Sequence, residues 1–388
     1  LIGGLAGDAL TVGNSNVAVG VHALGADTKG DRNVAIGNSA LAAQDFTTST
    51  DSYNVAVGYA AGSGITIGIN NTLIGGNAGD ALTSGASNVA VGYNALSLDT
   101  IGQRNVAIGR DALATQNFTT ATNSYNVAVG DTVGAELTTG AFNTLIGGLA
   151  GDALTDSDRN VAIGYLSQTS CVLGQLNTSV GYGTLESMNP ATAANMNNSA
   201  FGYLAGNAVT VGIQNTLVGG LAGDVLTDAD DNVAVGYGAL SADTKGSRSI
   251  AIGKEALFTQ NFTTATSTYN VAVGWQAGHD ISTGINNTLI GGLAGDKITT
   301  GSWNTLIGQN VGTQALLLTS GGSNTLVGSN MDTTTADATF AMGLGYALDC
   351  AAGYTTLGQG ATDIRAAHGN VTWATVSDER YKKDIVDS

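Results

Sequence analysis

A five-residue phrase, Asn (once Ser) followed by three mostly small or apolar residues and then Gly, recurs eighteen times between Asn16 and Gly328. Most copies open a 17-residue unit. Four units have 21 residues through one short insertion, and these open at Asn33, Asn105, Asn177 and Ser249. Three ordinary units and one long one therefore make a 72-residue super-repeat. A chain of 388 residues would otherwise be read as two or three domains. The repeat overrides that reading. A 17-residue unit cannot enclose a core of its own, so each unit must bury its apolar side chains against its neighbours.

The unit is a strand plus turns. Val17-Ala18-Val19 and Thr72-Leu73-Ile74 are short, β-branched and alternating. Asn before and Gly after tolerate left-handed backbone. A second short segment, such as Ala95-Leu96-Ser97, and a polar turn, such as Lys29-Gly30-Asp31-Arg32, complete the unit. Two strands and two turns make one coil, and eighteen coils stacked at ~4.8 Å span roughly 85 Å. The chain holds 57 Gly and one Pro. The scarcity of Pro fits a stack in which every strand needs its N–H. Helices are a poor fit, because Gly ends every apolar run. Asn at one position in coil after coil predicts a ladder of side-chain amides.

The middle residue of the strand, Ala or Leu, opposes its two flanks. Both faces are therefore apolar, one inside the coil and one against partner chains around an axis. The Val and Ile of the phrase, Ile108 among them, are expected inside. The fold class is all-β: a parallel β-solenoid, or β-roll, of 17-residue coils in a 72-residue super-repeat, assembled as a homotrimer.

Thirty acidic residues against 13 basic give a formal net charge of −17, with no basic stripe for a phosphate backbone. Gly, Asn or Asp breaks every apolar run, so none is long enough for membrane insertion. No signal peptide is visible. The chain opens at Leu1 inside a partial repeat, so a preceding segment is expected. Cys171 and Cys350 read as separate free thiols, and His22, His279 and His368 are too scattered for zinc. No metal or cofactor is expected. The phrase Gly147 to Leu154 is close to a calcium-binding nonapeptide, but its third Gly stands one place late and it recurs once per four coils. Its Asp, at Asp8, Asp80, Asp152, Asp224 and Asp296, reads as a turn cap. Asp156 with Asp158, and Asp228 with Asp230 and Asp231, read as solvated turns, with a weak cation site or a glycosidic carboxylate pair as rival readings.

The 21-residue units carry the candidate receptor contacts: Phe46, Phe118 and Phe262 among Gln, Asn and Thr, followed by Tyr53, Tyr125 and Tyr269. Longer loops on a minimal coil are where binding tends to sit, and an aromatic among amides suits sugar stacking. The rival reading is that these rings pin their own loops. The third unit departs, with Met188-Asn189-Pro190-Ala191.

The phrase Asn-Val-Ala-Val-Gly-Tyr with a following Ala-Leu resembles the left-handed β-roll of trimeric autotransporter adhesin heads, whose period is shorter. The resemblance covers residues 1–328 and implies a trimeric shaft. Ser377-Asp378-Glu379-Arg380-Tyr381-Lys382-Lys383-Asp384-Ile385 resembles the start of the intramolecular chaperone that ends bacteriophage tail spikes and fibres. That family trimerises through this domain and then removes it. The resemblance implies cleavage between Ser377 and Asp378, with Ser377 as nucleophile and Lys382 as its activating base. Only 377–388 of such a domain is present, and 329–376 reads as a transition or cap. Together these features imply a phage tail fibre segment, structural and host-adhesive, not an enzyme beyond a single self-cleavage. Its partners would be its own copies, a bacterial surface glycan or protein receptor, and virion tail proteins on the N-terminal side. The alternatives are a bacterial trimeric adhesin head at the cell surface and a β-helix polysaccharide depolymerase.

Overall fold

The structure, a computed structural model, describes residues 1–313 and 318–369 and the backbone of 374–375. It falls into two units, Leu1–Asn198 and Ser199–Ser388. Each is a parallel β-solenoid, and the described residues contain no α-helix.

In the first unit ten three-residue strands, from Val17–Val19 to Thr178–Val180, pair parallel with their successors. The register never slips: Val17 faces Val34, Ala90 faces Ala107, and Leu145 faces Ala162. In the second unit the same stacking runs from Ser199–Phe201 to Tyr354–Gln359. The stack therefore continues past residue 328. It turns antiparallel only at Thr362–Ala367.

The second segment of each coil is not a strand. It is a run of turns around a residue of positive φ, Leu24 (52°) or Gly62 (58°), tied to the next coil by backbone hydrogen bonds such as Leu24 N–H to Ala40 O at 2.9 Å. Left-handed residues bend the chain too sharply for a ladder there. Side ladders of two residues form at the 21-residue coils, for example Gly30–Asp31 with Thr50–Asp51, and again at Asp332–Thr333 with Asp349–Cys350.

Packing inside the coil explains the super-repeat. The middle strand residue is fully buried in every coil from Ala18 to Leu326, whether Ala, Leu or, once, Ser179. Where it is Leu145, the left-handed turn residues of its own and the preceding coil are Gly151 and Gly134. A Cβ on either would stand 3.0 Å or 2.7 Å from a Leu145 methyl. Where the middle residue is Ala107, the turn residue is Leu113, also fully buried. Leu and Gly exchange places so that the interior volume stays filled. Leu145→Ala leaves a hole that two glycines cannot close, and is expected to cost about 2–5 kcal/mol in chemical denaturation. A cost below about 1 kcal/mol would mean that the coil collapses around the gap.

The flanking residues point outward, against the sequence expectation. Ile108 is 37% exposed and Ala107 is wholly buried. The interior of a 17-residue coil has room for only one residue of each short strand, and the alternation places both flanks outside.

The Asn column lies inside. From Asn33 to Asn198 in the first unit every one is buried. The expected amide ladder is mainly side chain to backbone. Asn88 Oδ1 accepts the Asn105 N–H at 2.9 Å, and its Nδ2 donates to Gly102 O at 3.0 Å. Direct amide-to-amide contacts are longer, 3.3 Å from Asn105 Nδ2 to Asn88 Oδ1. Most of these Asn side chains thus satisfy a strand start and a turn carbonyl that the ladder leaves over, while Asn33 Nδ2 has no partner.

Candidate functional site

The 21-residue coils are built around a buried polar chain. Gln116 Nε2 donates to Asp99 Oδ2 at 2.7 Å, and Gln116 Oε1 accepts from Asn126 Nδ2 at 2.8 Å. The other oxygen of Asp99 accepts the Gly102 N–H at 2.9 Å. The same chain recurs as Asp27, Gln44 and Asn54, and as Asp243, Gln260 and Asn270. It anchors the loop base. Sequence reading missed it, although Asp and Gln recur with the super-repeat in the turn columns. In the third super-repeat these places hold Cys171, Met188 and Asn198, and both sulfur side chains are buried. Burial pushes the Cys171 thiol up to about 12, outside any thiolate chemistry.

The loop aromatics separate into two groups. Phe46, Phe118 and Phe262 are 6%, 6% and 8% exposed, so they pin their own loops and offer no ring to a ligand. Their carbonyls accept hydroxyls from the preceding coil, as Phe262 O does from Thr244 Oγ1 at 2.8 Å. Tyr53, Tyr125 and Tyr269 are 49%, 47% and 53% exposed. Each lies under a guanidinium one coil back: Arg32 over Tyr53 at 5.4 Å, Arg104 over Tyr125 at 5.5 Å, Arg248 over Tyr269 at 5.8 Å. In the second super-repeat the row lengthens. Tyr125 stacks on Phe142 at 5.9 Å, and Arg159 covers Phe142 at 5.7 Å. The arginines were not anticipated from sequence, because only the coil geometry brings each beside the tyrosine of the following coil.

The aspartate clusters do turn work. Asp158 Oδ1 accepts the Ala141 N–H at 2.8 Å, and Asp230 Oδ1 accepts the Ile213 N–H at 2.9 Å. Asp228 and Asp231 pair with Lys245 and Arg248, each at 3.5 Å. Among the described residues no group of three or more His, Cys, Asp or Glu is placed to hold a metal. Ser377, Asp378 and Lys382 lie outside the described residues.

Burial lifts the carboxyls of Asp80, Asp99, Asp224, Asp243 and Asp296 above the usual carboxylate range. A carboxyl with a raised folded-state pKa holds its proton more tightly when folded. Its stabilising contribution is complete below the ordinary pKa of about 4 and is lost as pH rises through the raised value. The net charge of −17 acts in the same direction, since acid relieves self-repulsion. Asp280 opposes it: burial pushes this carboxyl up, but His279 and Lys297 together hold it below the usual range. The melting temperature is expected to be higher at pH 5 than at pH 8. A higher value at pH 8 would show that the ion-paired carboxylates outweigh the buried ones.

On the strand face, each coil of either unit presents two outward side chains, mostly Val, Ile or Thr, and none of them is charged from Val17 to Val327. No family model matches the chain, and comparison with curated proteins and with solved structures gives no significant match.

Proposed function

We propose that this chain is a structural and host-adhesive shaft segment of a bacteriophage tail fibre, assembled as a parallel homotrimer. The observation that carries the assembly is the outward strand face. It is an uncharged ribbon of β-branched side chains repeating at the coil rise, and single chains rarely leave such a patch uncovered. Its occupant must be apolar and must match a pitch of about 4.8 Å. A second copy in the same direction has both properties. Threefold symmetry follows from the resemblance to adhesin-head β-rolls, and the tail-fibre assignment from the Ser377-to-Ile385 phrase. The adhesive role rests on the exposed Tyr and Arg side chains that line the widened coils.

The test has two readouts on one preparation. Light scattering should give three times the chain mass, and fluorescently labelled protein should bind the surface of a susceptible bacterium and compete with phage adsorption. A stable folded monomer sinks the assembly. A trimer that binds no cell in a panel of candidate hosts sinks the adhesive role.

A further inference from the structure

We propose that the Arg–Tyr clefts of the 21-residue coils are saccharide subsites, repeated along the solenoid, for an extended bacterial surface polysaccharide. The proposal rests on the adhesive reading and narrows it to one ligand chemistry and one set of residues.

Two clefts open at the same position of the super-repeat, one in each unit. The first, about 110 Å³, is lined by Asn14, Ser15, Asp31, Arg32 and Asp51. The second, about 200 Å³, is lined by Asp230, Ser247, Arg248, Ala265, Thr266 and Ser267. Both lie where a side ladder carries the longer loop outward, Gly30–Asp31 with Thr50–Asp51 and Gly246–Ser247 with Thr266–Ser267. Beside each stands the half-exposed Tyr under its guanidinium.

The inventory matches a sugar ring. Guanidinium N–H groups donate, carboxylate and hydroxyl oxygens accept, and an aromatic face lies alongside. Such a set serves vicinal hydroxyls on a ring whose C–H face is apolar. A highly anionic ligand fits less well at these two clefts, because both arginines already have a carboxylate neighbour: Asp51 beside Arg32, and Asp231 at 3.5 Å from Arg248.

The third super-repeat is an internal control. Arg gives way to Leu176 and Tyr to Asn197, yet the side ladder still forms, Gly174–Gln175 with Ala194–Asn195. Leu176 keeps the left-handed backbone of its counterparts, φ 61° against 62° at Arg32 and Arg104. The coil therefore folds without the pair, and coil stability does not account for its presence at the other three sites. Within the first unit the Arg32 and Arg104 pairs lie four coils apart, about 19 Å at the strand spacing. A polymer long enough to span both would gain from the second contact by effective concentration.

The experiment compares the full chain with a triple variant, Arg32→Leu, Arg104→Leu and Arg248→Leu, on an array of purified capsular and O-chain polysaccharides. Leucine is chosen because Leu176 occupies the equivalent position. Melting curves must first show the variant as stable as the parent; if it is not, Tyr53→Asn, Tyr125→Asn and Tyr269→Asn, patterned on Asn197, replace it. The parent is expected to retain at least one polysaccharide, and the variant to bind it at least about tenfold more weakly. Size-fractionated fragments of that polysaccharide shorter than about 19 Å should compete about a hundredfold less well than longer ones. A folded variant that binds within twofold of the parent rejects the clefts and leaves the adhesive reading standing. A parent that retains no polysaccharide rejects the saccharide assignment, and its binding to whole cells then decides separately whether the adhesive reading falls too. Fragments that compete equally at all lengths reject the repeated arrangement.

Discussion

Asn126→Leu is expected to be among the most damaging single substitutions in the first unit. Asn126 Nδ2 donates to both Gln116 Oε1 and Gly140 O, each at 2.8 Å. Its Oδ1 accepts the Asn143 N–H at 2.9 Å. Leucine has similar bulk, so the coil is not emptied. Three polar groups are instead left buried without partners, at roughly 1–3 kcal/mol each. The loss should be on the order of 5 kcal/mol. In a stack where coils couple mainly to neighbours, it should appear first as local opening. Hydrogen exchange should show lost protection at the strands Val106–Ile108, Val127–Val129 and Thr144–Ile146, with distant strands unchanged. Asn105→Ser should cost less than Asn126→Leu, because Ser249 fills the place of Asn105 two super-repeats on by bonding Thr268 and Gln260. Uniform protection across the unit in Asn126→Leu would mean that the Asn column contributes little to axial cohesion.

The repeat makes the fold legible in the chain itself. Period, strand position, parallel stacking and an Asn in the same place in coil after coil all follow from a phrase that keeps its spacing. The second segment was misread as a strand because Leu24 and its counterparts look like strand residues in sequence. Only their left-handed φ, 52° at Leu24, identifies them as a bend. Inside and outside were reversed at Ile108 because hydrophobicity alone favours burying Ile over Ala. The narrow coil decides otherwise, since a strand this close to its opposite wall admits mainly small side chains, and Leu only where two glycines make room. At the loops, sequence located the aromatics but could not separate buried Phe46 from exposed Tyr53. That division depends on which side of the side ladder each residue falls. The arginines above the tyrosines could be found only once the longer unit was known to make a single turn.

That reversal sets up a paired experiment on adjacent residues, in which a shift of one position exchanges the two faces of the strand. Ala107 is wholly buried and faces Ala90 and Ala128 along the ladder. Ala107→Asp places a carboxylate in an interior with no cation and little room, at a cost of several kcal/mol. It should unfold the coils around it whether or not the chain is assembled. Ile108→Asp puts the same charge on the outward face. On an isolated chain the change is a surface substitution, within about 0.5 kcal/mol. In a parallel assembly each copy would bring its carboxylate to the same level of the shared interface, where like charges cannot be separated and water is excluded. The expected result is a folded chain of monomer mass, with circular dichroism close to that of the parent. A variant that keeps the mass of the parent assembly would remove the outward ribbon as the interface. A variant that unfolds as Ala107→Asp does, even as a monomer, would return Ile108 to the inside of the coil.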